Sequence, residues 1–188
     1  MNPIFAAALE VQEFCASRGF RFCFIGGLAV QRWGEPRLTV DVDLTLLTGF
    51  GREAFFVDAL LERFTGRLPD TRAFALRNRV VLAESAGGIP LDVSLGAMPF
   101  EERTVERASG FGIQAGVSLT TCSAEDLIVH KAFAGREKDW LDIESIALRQ
   151  AGRLNQKLIF EELRPLLALK GTPDADERLR KLLASAGA

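Results

Sequence analysis

Residues 25–47 limit the fold more than any other stretch of the chain. Their sequence, IGGLAVQRWGEPRLTVDVDLTLL, opens with Gly26-Gly27 at the end of an apolar run and reaches Asp41-Val42-Asp43 fourteen residues after Gly27. Positions 40–46 alternate. Val40, Val42, Leu44 and Leu46 fall on one side of a strand, and Asp41, Asp43 and Thr45 on the other. Residues i and i+2 of a strand share a face about 7 Å apart, so two carboxylates point the same way. At about 4 Å and an effective dielectric near 20, such charges repel by about 4 kcal/mol. Water, protonation or a cation between them relieves the repulsion. Oxygen-only ligands on a rigid strand suit Mg²⁺, which keeps part of its water shell and completes it with substrate phosphates. A solvated strand face is the other reading of an isolated Asp-x-Asp. The glycine pair favours the first. Between a strand and a helix, glycines let backbone N–H groups approach a phosphate at the helix N-terminus.

A third carboxylate follows the same logic. Segments 74–76, 80–84 and 89–95 read as strands, with Gly87-Gly88 as the hairpin turn between the last two. In 89–95, Ile89, Leu91, Val93 and Leu95 share one face, and Asp92 and Ser94 the other. If this strand neighbours 38–47, Asp41, Asp43 and Asp92 converge. Otherwise Asp92 faces solvent from an edge strand.

The remaining pattern is mixed, then helical. A helix is expected over 3–18, stopped by Gly19, then a buried strand over 20–25 and a short helix over 28–33. Glu35-Pro36 is a turn, Gly49 and Gly51 make a loop, and helices cover 52–64 and 99–107. Residues 111–119 read as one strand interrupted by Gly112 and Gly116. The glycines of GFGIQAG lack a strand-to-helix context and read as bulge or loop residues rather than a cofactor fingerprint. From Ser123, which with Asp126 resembles a capping box, helices are expected up to Gly135 and over 137–150, 155–169 and 173–184. The expected organisation is therefore an α/β core over 1–120 and a C-terminal helical lobe over 121–188, the two sharing a cleft.

Composition excludes several classes. With 23 Lys and Arg against 25 Asp and Glu, the net charge is −2, so bulk positive charge does not hold nucleic acid here. Cys15, Cys23 and Cys122 are odd in number and lack CxxC spacing, which reads as buried thiols in a reducing compartment. The N-terminus has no basic n-region and carries Glu10 and Glu13, unlike a signal peptide. No apolar run approaches the length of a membrane span. A cytoplasmic location is expected.

A second informative cluster begins at the only histidine, His130. Lys131 follows Leu127 by four residues and Ile128 by three, so its stem lies on an apolar helix face. A compact ammonium there suits a triphosphate. Arg136 and Lys138 add positive charge between two helices, and Asp139 and Asp142 share a face of the next helix with Ile143 and Ile146. Helices laced by surface charges are the plainer reading. His130, four residues after Asp126, reads as a paired structural residue.

Apolar-Gly-Gly, a gap, then Asp-Val-Asp-Leu resembles the signature of the nucleotidyltransferase superfamily, the DNA polymerase β-like fold. Arg37-x-Thr39-x-Asp41-Val42-Asp43 is similar to the branch of AbiEii-type abortive-infection toxins of type IV toxin–antitoxin systems. Lys131 followed by Arg136-x-Lys138-Asp139-x-x-Asp142 resembles that branch's second motif. The resemblance spans roughly residues 20–145. It implies an α+β fold, a nucleotidyltransferase-like mixed β-sheet with helices on one face, followed by a helical C-terminal lobe. It implies transfer of an NMP from an NTP to an acceptor hydroxyl (a tRNA end, a protein or a small molecule) with release of pyrophosphate.

In that frame Asp41, Asp43 and Asp92 are the metal ligands and catalytic residues, with two Mg²⁺ ions. Gly26, Gly27, Thr39, Lys131, Arg136 and Lys138 bind the nucleotide, and Arg37, Asp139 and Asp142 are accessory. A cognate antitoxin is an implied partner. Two alternatives stand beside it. One is a catalytically silent binding partner on the same fold, regulatory or antitoxin-like, which a co-purifying protein without NTP turnover would mark. The other is a hydrolytic Mg²⁺ enzyme, marked by phosphate release without label transfer.

Overall fold

The alternation that begins at Val42 produces the strand on which the sheet is built. The computed structural model describes residues 2–187. Its seven-stranded sheet has the order β3-β4-β5-β2-β1-β7-β6, with β1 Phe22–Phe24, β2 Val42–Leu47, β3 Thr65–Gly66, β4 Val80–Glu84, β5 Pro90–Gly96, β6 Ser109–Gln114 and β7 Val117–Thr121. β2 runs antiparallel to β1 and parallel to β5, and β1 runs parallel to β7. The sheet is therefore mixed, as expected. Its apolar face carries Val42, Leu44, Leu46, Val81, Leu91, Val93 and Leu95, all buried.

Helices α1 Pro3–Ser17 and α3 Glu53–Arg63 supply the other half of this core through Val11, Phe14, Cys15, Phe56, Val57 and Leu60. α1 starts where the Asn2 side chain accepts from the Ile4 N–H at 3.0 Å. All three cysteines are buried. α5 Pro99–Glu106 lies at the end of the opposite face, where the Glu101 carboxylate accepts the Ala97 and Met98 N–H groups, each at 2.8 Å.

Three elements differ from expectation. Residues 74–76 lie inside a helix, α4 Thr71–Asn78. The Asp70 carboxylate caps it by accepting from Ala73 N–H at 2.9 Å, and the helix formers of TRAFALRN outweigh a three-residue apolar run. Residues 111–119 are two strands, not one. Gly116, with φ +73°, makes the turn of a β6–β7 hairpin, and the register shifts between Gly112 and Gln114. The strand expected from residue 38 begins only at Val42. Leu38 and Val40 are 86% and 65% exposed instead of facing the core, because Pro36 leads into a segment whose Thr39 side chain bonds locally to Asp41.

Two compact units divide the chain, one comprising residues up to Leu28 with Leu38–Cys122, the other Ala29–Arg37 with the residues from Ser123 onward. Helix α2 Gly26–Trp33 begins in the first and ends in the second. The helical unit holds α6 Ala124–Ala134, α7 Glu137–Arg149, α8 Gln156–Lys170 and α9 Asp174–Ser185. Ser123 caps α6, accepting from Asp126 N–H at 3.0 Å, and Gly135 ends it at φ +72°. Residues 29–37 are tied into the same unit. The Gln150 amide donates to Trp33 O at 2.9 Å, and the Arg149 guanidinium donates to Gly34 O. Leu127, Ile128, Ile143, Ile146, Ile159 and Leu163 are fully buried.

Candidate active site

Strand register brings the carboxylates together. Asp43 on β2 is the direct partner of Asp92 on β5, and adjacent strands stand about 4.8 Å apart. Asp41 sits one residue before β2, on the same side as Asp43. Its Oδ1 accepts from the Thr39 hydroxyl at 3.1 Å, which fixes its orientation. One carboxylate oxygen from each of Asp41, Asp43 and Asp92 lies within 4.8 Å of the others, and all three residues are half-buried. Three hard oxygen donors, two on neighbouring strands and one just before β2, half-buried, suit a small divalent cation that keeps some of its waters.

The two glycines make this face possible. Gly26 takes φ +57°, and a Cβ there would lie 2.0 Å from Asp43 Oδ2; at Gly27 it would lie 2.2 Å from Thr39 Oγ1. Only glycine lets the start of α2 press this closely against the carboxylate strand. Ile25 N–H bonds to Asp43 O at 3.0 Å and locks the approach.

One participant was not foreseen from sequence. Arg67, just after β3, forms an ion pair with Asp92 Oδ1. Burial pushes the Asp92 carboxyl above its ordinary value; the Arg67 charge opposes this and the Asp41 charge reinforces it. β3 has two residues, too few for periodicity to reveal. Nothing in the sequence placed Arg67 across the sheet from Asp92.

The second cluster lies within the helical unit. Lys131 Nζ is 2.6 Å from Asp142 Oδ2 and 3.5 Å from Asp139 Oδ1. Arg37 grips Asp142 with two bonds, of 2.7 and 2.8 Å. Arg136 grips Asp139 with two, of 2.6 and 3.1 Å, and its N–H also donates to Asp139 at 3.2 Å, capping α7. Burial alone would raise the Asp142 carboxyl; Arg37 and Lys131 overcome it and hold the group below the ordinary carboxylate range. Arg136 and Lys131 do the same for Asp139. Three cations thus share two carboxylates, leaving a net positive charge. Lys138 is exposed. Of the residues singled out from sequence, Gly26, Gly27, Thr39, Asp41, Asp43 and Asp92 gather in the sheet unit. Arg37, Lys131, Arg136, Asp139 and Asp142 form one network in the helical unit.

Solved structures of other proteins share this fold. An antigenic nucleotidyltransferase-like protein from Paracoccidioides brasiliensis has a similar crystal structure, with a TM-score of 0.54 and 18% identity over 94% of this chain and 91% of that one. The solution structure of the antibiotic-resistance factor ANT(2'')-Ia is also similar, with a TM-score of 0.56 and 16% identity over 92% of this chain and 96% of that one. At these identities the likeness concerns the fold. No curated protein matches by sequence. Residues 15–186 match the family described as nucleotidyl transferase AbiEii toxin, type IV TA system. With the carboxylate strands, the glycine turn and the Lys131–Asp142 segment all inside the matched region, the chain belongs to the AbiEii nucleotidyltransferase family.

Proposed function

We propose that the chain transfers an NMP from an NTP to an acceptor hydroxyl and releases pyrophosphate. The observation that carries this reading is the convergence of Asp41, Asp43 and Asp92 within 4.8 Å in a chain of this family. These carboxylates are the proposed ligands of Mg²⁺. Bound there, divalent cations would neutralise the triphosphate and the charge developing on the transferred phosphoryl group.

The chain's own residues do the rest by positioning. Asp41 is oriented by Thr39, and Asp43 by its packing under Gly26. Asp92 accepts or orients the proton of the acceptor hydroxyl. The attacking oxygen then forms its bond to the α-phosphorus as the bond to the pyrophosphate oxygen breaks. Backbone N–H groups at Gly26 and Gly27 and the side chains of Lys131, Arg136 and Lys138 are the proposed phosphate contacts. Arg37, Asp139 and Asp142 hold Lys131 and Arg136 in place.

No helix among the described residues is long and apolar enough to cross a membrane. The family description, which names a type IV toxin–antitoxin system, supports a cognate antitoxin as partner. A tRNA end, a protein hydroxyl and a small molecule are the acceptor classes to screen. The test follows label from each of the four α-³²P NTPs into candidate acceptors with Mg²⁺ present. Wild type should transfer label, and Asp43→Asn should transfer none while melting as a folded protein. Full transfer by Asp43→Asn would remove the carboxylate cluster from the mechanism.

A further inference from the structure

We infer that Arg67 is the resting counter-ion of the carboxylate cluster and competes with divalent cations for Asp92. The inference rests on the metal-site reading of that cluster and concerns how the site is loaded.

The geometry is a row across the sheet. Arg67 N–H donates to Leu82 O at 2.9 Å, Leu82 pairs with Asp92 across β4 and β5, and Asp92 pairs with Asp43 across β5 and β2. Arg67 is therefore anchored by its backbone two strands from Asp92, an interval of about 10 Å at the usual strand spacing. Its extended side chain spans that interval and ends on Asp92 Oδ1. Among the described residues Asp92 is its one ion-pair partner. Arg72 and Arg79, close by in sequence, are engaged elsewhere, Arg72 with Asp58 and Arg79 with Glu53. The pair is partly desolvated, with side-chain exposures of 29% for Arg67 and 36% for Asp92, so water screens it less than an open surface pair.

Charge then decides what the site accepts. Three carboxylates and one guanidinium leave two negative charges, which a single divalent cation neutralises. A cation that uses Asp92 competes with the guanidinium, which already holds Oδ1 and neutralises the carboxylate charge. While paired, Asp92 is also poorly placed to take a proton from an acceptor hydroxyl. Arg67 thus couples the arrival of a cation at Asp92 to the freeing of that carboxylate.

The experiment is a Mn²⁺ titration read by electron paramagnetic resonance, on wild type, Arg67→Gln, Arg67→Lys and Asp43→Asn, each checked for a folded melt. Arg67→Gln should bind Mn²⁺ about tenfold more tightly than wild type, a difference of about 1.4 kcal/mol. Arg67→Lys, which keeps the charge, should stay near wild type, and Asp43→Asn should lose binding. Binding by Arg67→Gln no tighter than wild type, or equal tightening by Arg67→Lys, overturns the role of Arg67 while leaving the metal site standing. Absence of Mn²⁺ binding in wild type and Arg67→Gln alike overturns the metal-site reading, and this inference with it. A second readout needs no variant. Phenylglyoxal labelling of Arg67 in wild type, followed by mass spectrometry, should accelerate when Mn²⁺ is added, and an unchanged rate also overturns the inference.

Discussion

The ammonium of Lys131 donates to Asp142 Oδ2 at 2.6 Å, with side-chain exposures of 7% and 5%. An ion pair this enclosed is costly to break from one side, because the surviving charge stays buried. Asp142 is the hub, since it also carries Arg37. Asp142→Ala removes the carboxylate that Lys131 and Arg37 share and should cost about 3 kcal/mol, the low end for a buried pair because Lys131 keeps Asp139 at 3.5 Å. Lys131→Met removes one cation but leaves Asp142 its Arg37 partner, and should cost distinctly less. Arg37→Ala should cost least, about 1 kcal/mol or below, because that side chain is 42% exposed. Both tryptophans, Trp33 and Trp140, lie in the helical unit, so urea unfolding followed by tryptophan fluorescence reads this unit directly. Equal costs for the three variants would remove Asp142 from the centre of the network.

Gly26 has no room for a side chain. Gly26→Ala adds a Cβ 2.0 Å from Asp43 Oδ2 at a φ of +57°. The left-handed backbone alone costs about 1–2 kcal/mol, and the contact must push the Asp43 carboxylate aside. The expected result is a lower melting temperature together with weakened Mn²⁺ binding. Gly88, also at positive φ (+72°), has nothing within 4 Å of its Cβ position. Gly88→Ala should therefore lower the melting temperature by a similar backbone penalty and leave Mn²⁺ binding intact. Comparing the two by circular dichroism melts and Mn²⁺ titration separates backbone strain from the displacement of Asp43.

The carboxylate cluster should make the apo protein less stable than it could be. Like charges within 4.8 Å repel, and after allowance for water at these half-buried groups the penalty is on the order of 1 kcal/mol. Asp41→Asn keeps an oxygen to accept from the Thr39 hydroxyl and removes one charge. In EDTA it should melt higher than wild type. In Mg²⁺ the order should reverse, because wild type gains binding energy that the variant lacks. A variant that melts lower than wild type in EDTA would show that Asp41 is held by favourable contacts that outweigh the repulsion.

Much of this site was legible because its signals are local. The alternation at 42–46 fixed which side the carboxylates face, and the same alternation at 91–95 placed Asp92 on the matching side. Gly26-Gly27 marked the strand-to-helix turn, and the structure adds that their missing side chains make room for Asp43 and Thr39. Tertiary effects were not legible. Residues 38–41 keep a strand's alternation but lie outside β2, which begins at Val42, so tertiary context, not pattern, decided their state. Residues 74–76 carry a strand-like apolar run inside a helix set by the Asp70 cap. Arg67 reaches Asp92 across a strand, a distance no sequence spacing encodes. In the helical unit the motif named the participants, but not that Lys131 lies buried between two carboxylates.

His130 should set the acid sensitivity of the helical unit. Burial pushes its imidazole down to about 4; the Asp126 charge opposes this and the Lys131 charge adds to it. The unfolded chain has an ordinary histidine near 6.5. Between those values the unfolded state binds a proton that the folded state refuses, so stability falls as pH falls from about 6.5 to about 4. The loss is at most about 3.5 kcal/mol, at roughly 1.4 kcal/mol per pH unit. Asp139 and Asp142 act in a different window. Their carboxyls are held below the ordinary value, so the stability they contribute is present above the unfolded carboxylate pKa and is lost only as pH drops below it. His130→Gln retains a polar side chain but cannot titrate. Urea unfolding by tryptophan fluorescence at pH 7, 6, 5 and 4.5 should show a falling stability for wild type and a nearly flat one for the variant. The same slope in both proteins would mean that His130 is protonated without penalty in the fold, and that acid sensitivity resides in the carboxylate network alone.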